Sequence, residues 1–141
     1  MAKISYKVAN EYFMGVFSSW FVDHEDPPSR PEDFRNAVQQ FKLKAQKFGD
    51  LEYLRVAVEH ILANPDIDQK ILMDFSFNDD YAFEPEEVLR ILAYLYGETW
   101  PSHPQPRKGQ YPSVEWLHGL GWEEWQRRKA ELNPELNGKL A

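Results

Sequence analysis

Side chains capable of chemistry are common in this chain, but their spacing does not assemble a reaction centre. The four histidines (His24, His60, His103 and His118) fall on separate segments, with no His-Glu-x-x-His pair and no metal-ligand spacing. There is no cysteine, which removes thiolate nucleophiles and Cys ligand sets and fits a reducing compartment. The seven glycines are dispersed, so no loop can cradle a phosphate, and no Gly-x-Ser-x-Gly elbow presents a nucleophile. Carboxylates are abundant, yet many stand at helix starts, where they already complement the helix dipole. The expectation is a non-enzymatic protein with no catalytic residues, no cofactor and no metal.

One carboxylate-rich region invites a different kind of chemistry. Between Asp66 and Glu98 lie nine acids (Asp66, Asp68, Asp74, Asp79, Asp80, Glu84, Glu86, Glu87 and Glu98) and two bases, Lys70 and Arg90. That segment therefore carries the whole net charge of −7. Phe75, Phe77, Tyr81 and Phe83 are threaded through it. Rings beside charges are what interfaces use, the ring for dehydrated area and the acid for steering and register. The same rings could equally tuck into the core while the acids stay wet. The candidate partner-binding set is Asp74, Phe77, Asp79, Asp80, Tyr81, Phe83, Glu84, Glu86 and Glu87.

Two smaller features have competing readings. The run Trp20-Phe21-Val22-Asp23-His24-Glu25-Asp26 is an aromatic helix end entering an acidic turn. Asp23, His24, Glu25 and Asp26 make a secondary candidate surface, or simply a solvated helix terminus; neighbouring residues point in different directions, which disfavours a metal. Trp100, Trp116, Trp122 and Trp125 gather in the last third beside Arg107, Lys108, Arg127, Arg128 and Lys129. Stacking on single-stranded nucleic acid would need a basic groove, and the 116/120 and 122/125 spacing reads more simply as core. An acidic field repels phosphates and attracts basic surfaces, so nucleic acid is not an expected partner.

The elements that must position these groups are helical. With 141 residues, 43% apolar and 15% aromatic, the chain suits one domain with a real core. Val8 to Phe21 has aromatics at three- and four-residue spacing. A second helix opens at Ser29-Arg30-Pro31-Glu32-Asp33, carries Phe34, Val38, Phe41, Ala45 and Phe48, and stops at Gly49. Asp50 can cap a third, through Leu51, Leu54, Val58 and Ile61, that ends at Asn64-Pro65. A short fourth is expected from Asp66 to Phe75. Glu84-Pro85-Glu86-Glu87 opens a fifth, nearly apolar all round and ended by Gly97, and so the candidate central helix. Residues 98–112, with four prolines, form an irregular connection. Ser113 to about Leu132 reads as an amphipathic segment broken near Gly119 and Gly121 into two short helices, and 133–141 as a frayed tail. The expected fold is all-α: a single-domain bundle of five to seven helices. No stretch approaches the ~20 apolar residues of a membrane span and no leader-type segment opens the chain, so a soluble cytoplasmic protein is expected.

The order of these features resembles the immunity proteins of bacterial contact-dependent growth-inhibition systems. Trp20-Phe21-Val22-Asp23-His24 is similar to an early aromatic-Phe-x-Asp/His patch of that family. Glu59-His60-Ile61-Leu62-Ala63-Asn64-Pro65 is similar to its helix with Glu then Leu-Ala, and Trp116-Leu117 to its late Trp-Leu. The likeness spans roughly residues 12 to 118; the 98–112 insert and the Trp-rich end depart from it. The resemblance implies a small helical protein that binds one cognate toxin domain, often a nuclease, and neutralises it through a surface that varies between members. It implies no catalytic residues. A non-catalytic adaptor or accessory subunit of a bacterial or phage assembly is the alternative from another class. Homo-oligomeric state is not legible.

Overall fold

The computed structural model describes residues 1–23, 30–64, 71, 74, 83–110 and 113–136, and of residues 19–23 the backbone alone. The chain opens with a strand, β1 (Ala2–Ser5), that runs directly into α1 (Tyr6–Asp23). Ser5 makes this junction. Fully buried, its Oγ accepts the Val8 N–H at 3.2 Å as a helix N-cap and donates to the Leu120 carbonyl at 2.6 Å. The helix therefore starts two residues before Val8. Its stripe of Val8, Ala9, Tyr12, Phe13, Val16 and Phe17 is buried, as the aromatic spacing requires.

A single 3-10 turn (Pro31–Phe34) leads into α2 (Arg35–Phe48). Pro31 supplies the preset φ at the entry, and Asp33 Oδ2 accepts the Arg30 N–H at 3.2 Å. Val38, Phe41 and Ala45 form the buried face. Gly49 ends the helix with φ +70°, a left-handed conformation that frees the Asp50 N–H to reach the Ala45 carbonyl at 2.8 Å. α3 (Leu51–Ala63) follows at once, then α4 (Pro85–Thr99), β2 (Val114–Leu117) and α5 (Trp122–Leu132). The helix expected from Asp66 to Phe75 lies almost wholly outside the described residues; Ile71 and Asp74 are helical.

Aromatic rings fill the centre. Phe13 stacks on Phe41 at 5.7 Å, Phe17 meets Phe34 at 6.0 Å, and Trp100 meets Phe41 edge-on at 6.3 Å. α4 packs against α3, α2 and the 3-10 turn, so it is the central helix. It is amphipathic rather than apolar all round: Val88, Ile91, Leu92, Leu95 and Tyr96 face inward while Arg90 and Glu98 face water. It also runs past Gly97 to Thr99.

Among the described residues the fold is mostly helical, with one small sheet that the sequence pattern does not announce. β1 pairs in parallel with β2, Ala2 opposite Val114 and Ser5 opposite Leu117. A parallel pair needs a crossover, and here nearly the whole domain supplies it. Residues 113–132 are thus not two helices. The break near Gly119 is present, with φ +84° there, but the part before it is strand.

The other edge of β1 is closed by a side chain. Asn133 Oδ1 accepts the Lys3 N–H at 2.7 Å, and its Nδ2 donates to the Lys3 carbonyl at 2.7 Å and the Lys129 carbonyl at 3.1 Å. The carboxamide stands where a third strand would pair. Asn133 is 4% exposed and Leu136 is 8% exposed, so the expected fraying does not extend to residues 133–136. Asn133→Ala is expected to cost about 2–3 kcal/mol, because two backbone groups of β1 lose their partner together. Chemical denaturation gives the cost, and faster amide exchange at Lys3 would locate it.

Candidate functional site

The acidic–aromatic set divides in the structure. Asp74, half-buried, accepts a 2.6 Å hydrogen bond from the Tyr6 hydroxyl, which ties this acid to the start of α1. Phe83 is only 9% exposed and lies 5.2 Å from the Phe17 ring and 6.3 Å from the Phe34 ring. It is a core side chain, which corrects its reading as a surface anchor; burial of Phe17 and Phe34 beside it takes the ring out of reach. Glu84 is the N-cap of α4, exposed and extended, and Glu87 accepts its N–H at 3.3 Å. Glu86 points to solvent in the first turn. Phe77, Asp79, Asp80 and Tyr81 lie outside the described residues, as do His24, Glu25 and Asp26. Asp23 closes α1, with its side chain outside them too.

A second site was not singled out from the sequence. On α3, Arg55 is held between two carboxylates one turn to either side. Its Nη1 donates to Glu59 at 2.5 and 2.7 Å, its Nε donates to Glu52 at 3.1 Å, and its Nη2 also reaches Glu52. All three side chains are largely shielded, at 12% exposure for Arg55, 18% for Glu52 and 14% for Glu59. Hydrogen bonding to Glu52 raises the guanidinium pKa despite burial, so the arginine stays charged. Arg55 and Glu59 form the floor of a cleft of about 310 Å³. Tyr96 of α4 is its wall, and the connection after α4 covers it with His103, Pro104, Pro106 and Gln110.

That connection is irregular, as its prolines dictate, but it is fastened. The Tyr96 hydroxyl reaches the Pro104 carbonyl at 3.4 Å, Gln105 Nε2 donates to the Ala93 carbonyl at 2.9 Å, and the Gly109 N–H donates to the Ala63 carbonyl at 3.0 Å. Burial, then the charge on Glu59, raises the Tyr96 pKa, so the phenol remains protonated. The i, i+3 and i, i+4 spacing of Glu52, Arg55 and Glu59 was a readable signal. The return of residues 103–110 over them was not.

Among the described residues, the most heavily bonded carboxylate has a structural task. Asp50 occupies the N-cap position of α3 but makes no cap bond with its side chain, which corrects its reading as a capping residue. It is 1% exposed and turns inward. Tyr12 donates to it at 2.7 Å, Trp125 Nε1 at 2.9 Å, Gln126 Nε2 at 2.8 Å and Lys129 Nζ at 3.0 Å. Lys129 also donates to the Phe48 carbonyl and to Gln126. Trp125 is 1% exposed and Trp100 5%, and Trp116 and Trp122 pack on the same core, so these tryptophans are interior material.

This hub also governs the response to alkali. Burial and the hydrogen bond to Asp50 raise the Tyr12 pKa above 10.0, and burial with the Asp50 charge raises that of Tyr53. A raised folded-state pKa contributes stability that is whole below the unfolded value and is lost as pH climbs past it. Stability is therefore expected to fall from about pH 10 upward. In a tyrosinate absorbance titration, Tyr12, Tyr53 and Tyr96 should ionise together with unfolding. Reversible ionisation near pH 10 in a chain that stays folded would contradict this.

Among the described residues no three His, Asp or Glu side chains could hold a metal ion, and no helix is long and apolar enough to cross a membrane. No family model, no curated protein and no solved structure matches this chain.

Proposed function

We propose that this protein acts by binding: it is an immunity protein that neutralises a cognate bacterial toxin domain with a basic surface, a nuclease, inside the cytoplasm of the producing cell. The observation that carries the reading is the distribution of charge. The whole net charge of −7 resides between Asp66 and Glu98, and Glu84, Glu86 and Glu98 from that stretch are exposed at the two ends of α4. A nuclease must present cations to a phosphate backbone, and an acidic domain can cover or flank them. Tight inhibition then needs fast charge-steered association and slow dissociation from buried contacts. The resemblance to contact-dependent growth-inhibition immunity proteins supports the same reading, because those proteins inhibit without chemistry.

The reading expects a gene for a large toxin-type protein immediately upstream. Co-expressing the toxin domain it encodes with this chain and resolving the mixture by size exclusion should give a stoichiometric complex. Complete separation of the two at micromolar concentration would contradict the proposal.

A further inference from the structure

We infer that the outward face of α2 docks on the acidic surface of a second copy of this chain, so that the protein associates with itself head to tail. α2 carries four cations, Arg35, Lys42, Lys44 and Lys47, and no acid. None of the four makes an ion pair among the described residues, although the chain holds 23 acids. Lys44 lies over the Tyr12 and Trp122 rings at 4.9 Å and Lys47 over the Phe48 ring at 5.4 Å, contacts that leave both charges without a counter-charge. Between them Leu43 is 58% exposed, turned away from the buried Phe41 and Ala45. Successive helical residues are about 100° apart, so Lys42 and Lys44 flank Leu43 on its two sides and Lys47 follows one turn on. An apolar side chain rimmed by cations fits an acidic partner surface.

The chain itself supplies that surface. Glu84 and Glu86 are exposed at the start of α4 and likewise make no ion pair among the described residues. α2 turns Val38, Phe41 and Ala45 toward the core on which α4 packs, and its cations away from it. The opposite charges are therefore matched between molecules, α2 of one copy against the acidic stretch of the next. Such a contact joins two different surfaces, so it leaves both ends open and the assembly lengthens with concentration. One leucine and a few charges make a small contact, which places association at high concentration. Salt acts on it in two directions. Each copy carries −7, and at about 0.01 M salt, with a screening length of about 30 Å, the copies repel as wholes. At about 0.1 M the length is about 10 Å, which spares facing charges and hides the net repulsion; at about 1 M it is about 3 Å and the contact is screened too. The toxin reading assigns the same acidic surface to the toxin, and resting on that reading, toxin binding and self-association exclude each other.

Sedimentation velocity of the full chain, at up to about 1 mM, reads this directly. The weight-average mass is expected to rise above 16.7 kDa with concentration at about 0.1 M salt, and to fall back toward it at about 0.01 M and about 1 M. Lys42→Gln with Lys47→Gln, and separately Glu84→Lys with Glu86→Lys, should each weaken association at least about tenfold at unchanged melting temperature. Mixed, the two variants keep one intact surface each and should form a one-to-one pair and nothing larger. If the first variant melts early, Leu43→Gln takes its place. A single copy at every salt concentration, association that grows steadily with salt, or mixed variants that stay apart would each overturn the proposal. The two readings fail separately. Self-association as described with no toxin complex removes the toxin as partner and leaves this contact standing. A toxin complex formed by a chain that never self-associates does the reverse.

Discussion

Asp50→Ala is expected to be severely destabilising, costing about 3–5 kcal/mol. Removing this carboxylate leaves the Lys129 ammonium, 13% exposed, without its counter-charge, and strips partners from Tyr12 and Trp125 at the same time. The loss is large because a buried group that has lost its partner keeps its full desolvation penalty. A domain of this size is stable by roughly 5–15 kcal/mol, so the variant should sit at or near the edge of folding. Thermal and urea denaturation would show it. The double replacement Asp50→Asn with Lys129→Met removes the stranded charge and should recover part of the loss, whereas a purely local helix-cap role would give additive costs. A fall of less than about 1 kcal/mol in Asp50→Ala would mean that the hub does not bind the C-terminal helix to the rest.

The second large effect concerns association. Glu84→Lys with Glu86→Lys reverses two exposed charges at the start of α4 and changes the net charge by four. Steering by a protein field alters association rates by about 10- to 1,000-fold at low salt. A fall of about tenfold in the association rate with the toxin domain is expected, together with a flatter dependence on ionic strength. Dissociation should change little, because rim charges act chiefly on encounter. Glu84 uses its backbone carbonyl to cap α4, accepting from Glu87 and Val88 at 2.9 and 3.1 Å, so the side-chain change should leave the helix in place. Unchanged association and an unchanged salt slope would show that this end of the acidic stretch lies away from the interface.

Helices were legible here wherever a local rule sets them. Gly49 at φ +70°, Pro31 at a helix entry and Glu84-Pro85 before α4 are decided by their own backbone chemistry, so the sequence pattern finds them. Failures occurred where a distant partner decides. Trp116 and Leu117 fit the apolar spacing of a helix that continues through Leu120, but β1, more than a hundred residues away, offers backbone groups in register and makes residues 114–117 a strand. Asp50 has the residue type and place of an N-cap, yet Trp125 and Lys129 draw its carboxylate inward. Asn133 looked like the beginning of a tail because its partner is Lys3.

The candidate site shows the same division. The acidic surplus could be counted, and the exposure of Glu84 and Glu86 agrees with solvent-facing charges. Phe83 could not be assigned from its neighbours in sequence, because Phe17 and Phe34 take its ring into the core. The Glu52–Arg55–Glu59 triad was visible as spacing on one helix face. Its meaning as a cleft depends on Tyr96 and the proline-rich connection, which come from elsewhere in the chain.

The central claim, neutralisation of a toxin by binding, is tested most directly by growth. Under the proposed function, cells expressing the toxin-type domain expected immediately upstream should stop dividing when it is produced alone and should grow at the uninduced rate when this chain is co-produced at equal level. Continued arrest, with the chain folded and present in at least equal amount, would contradict the account.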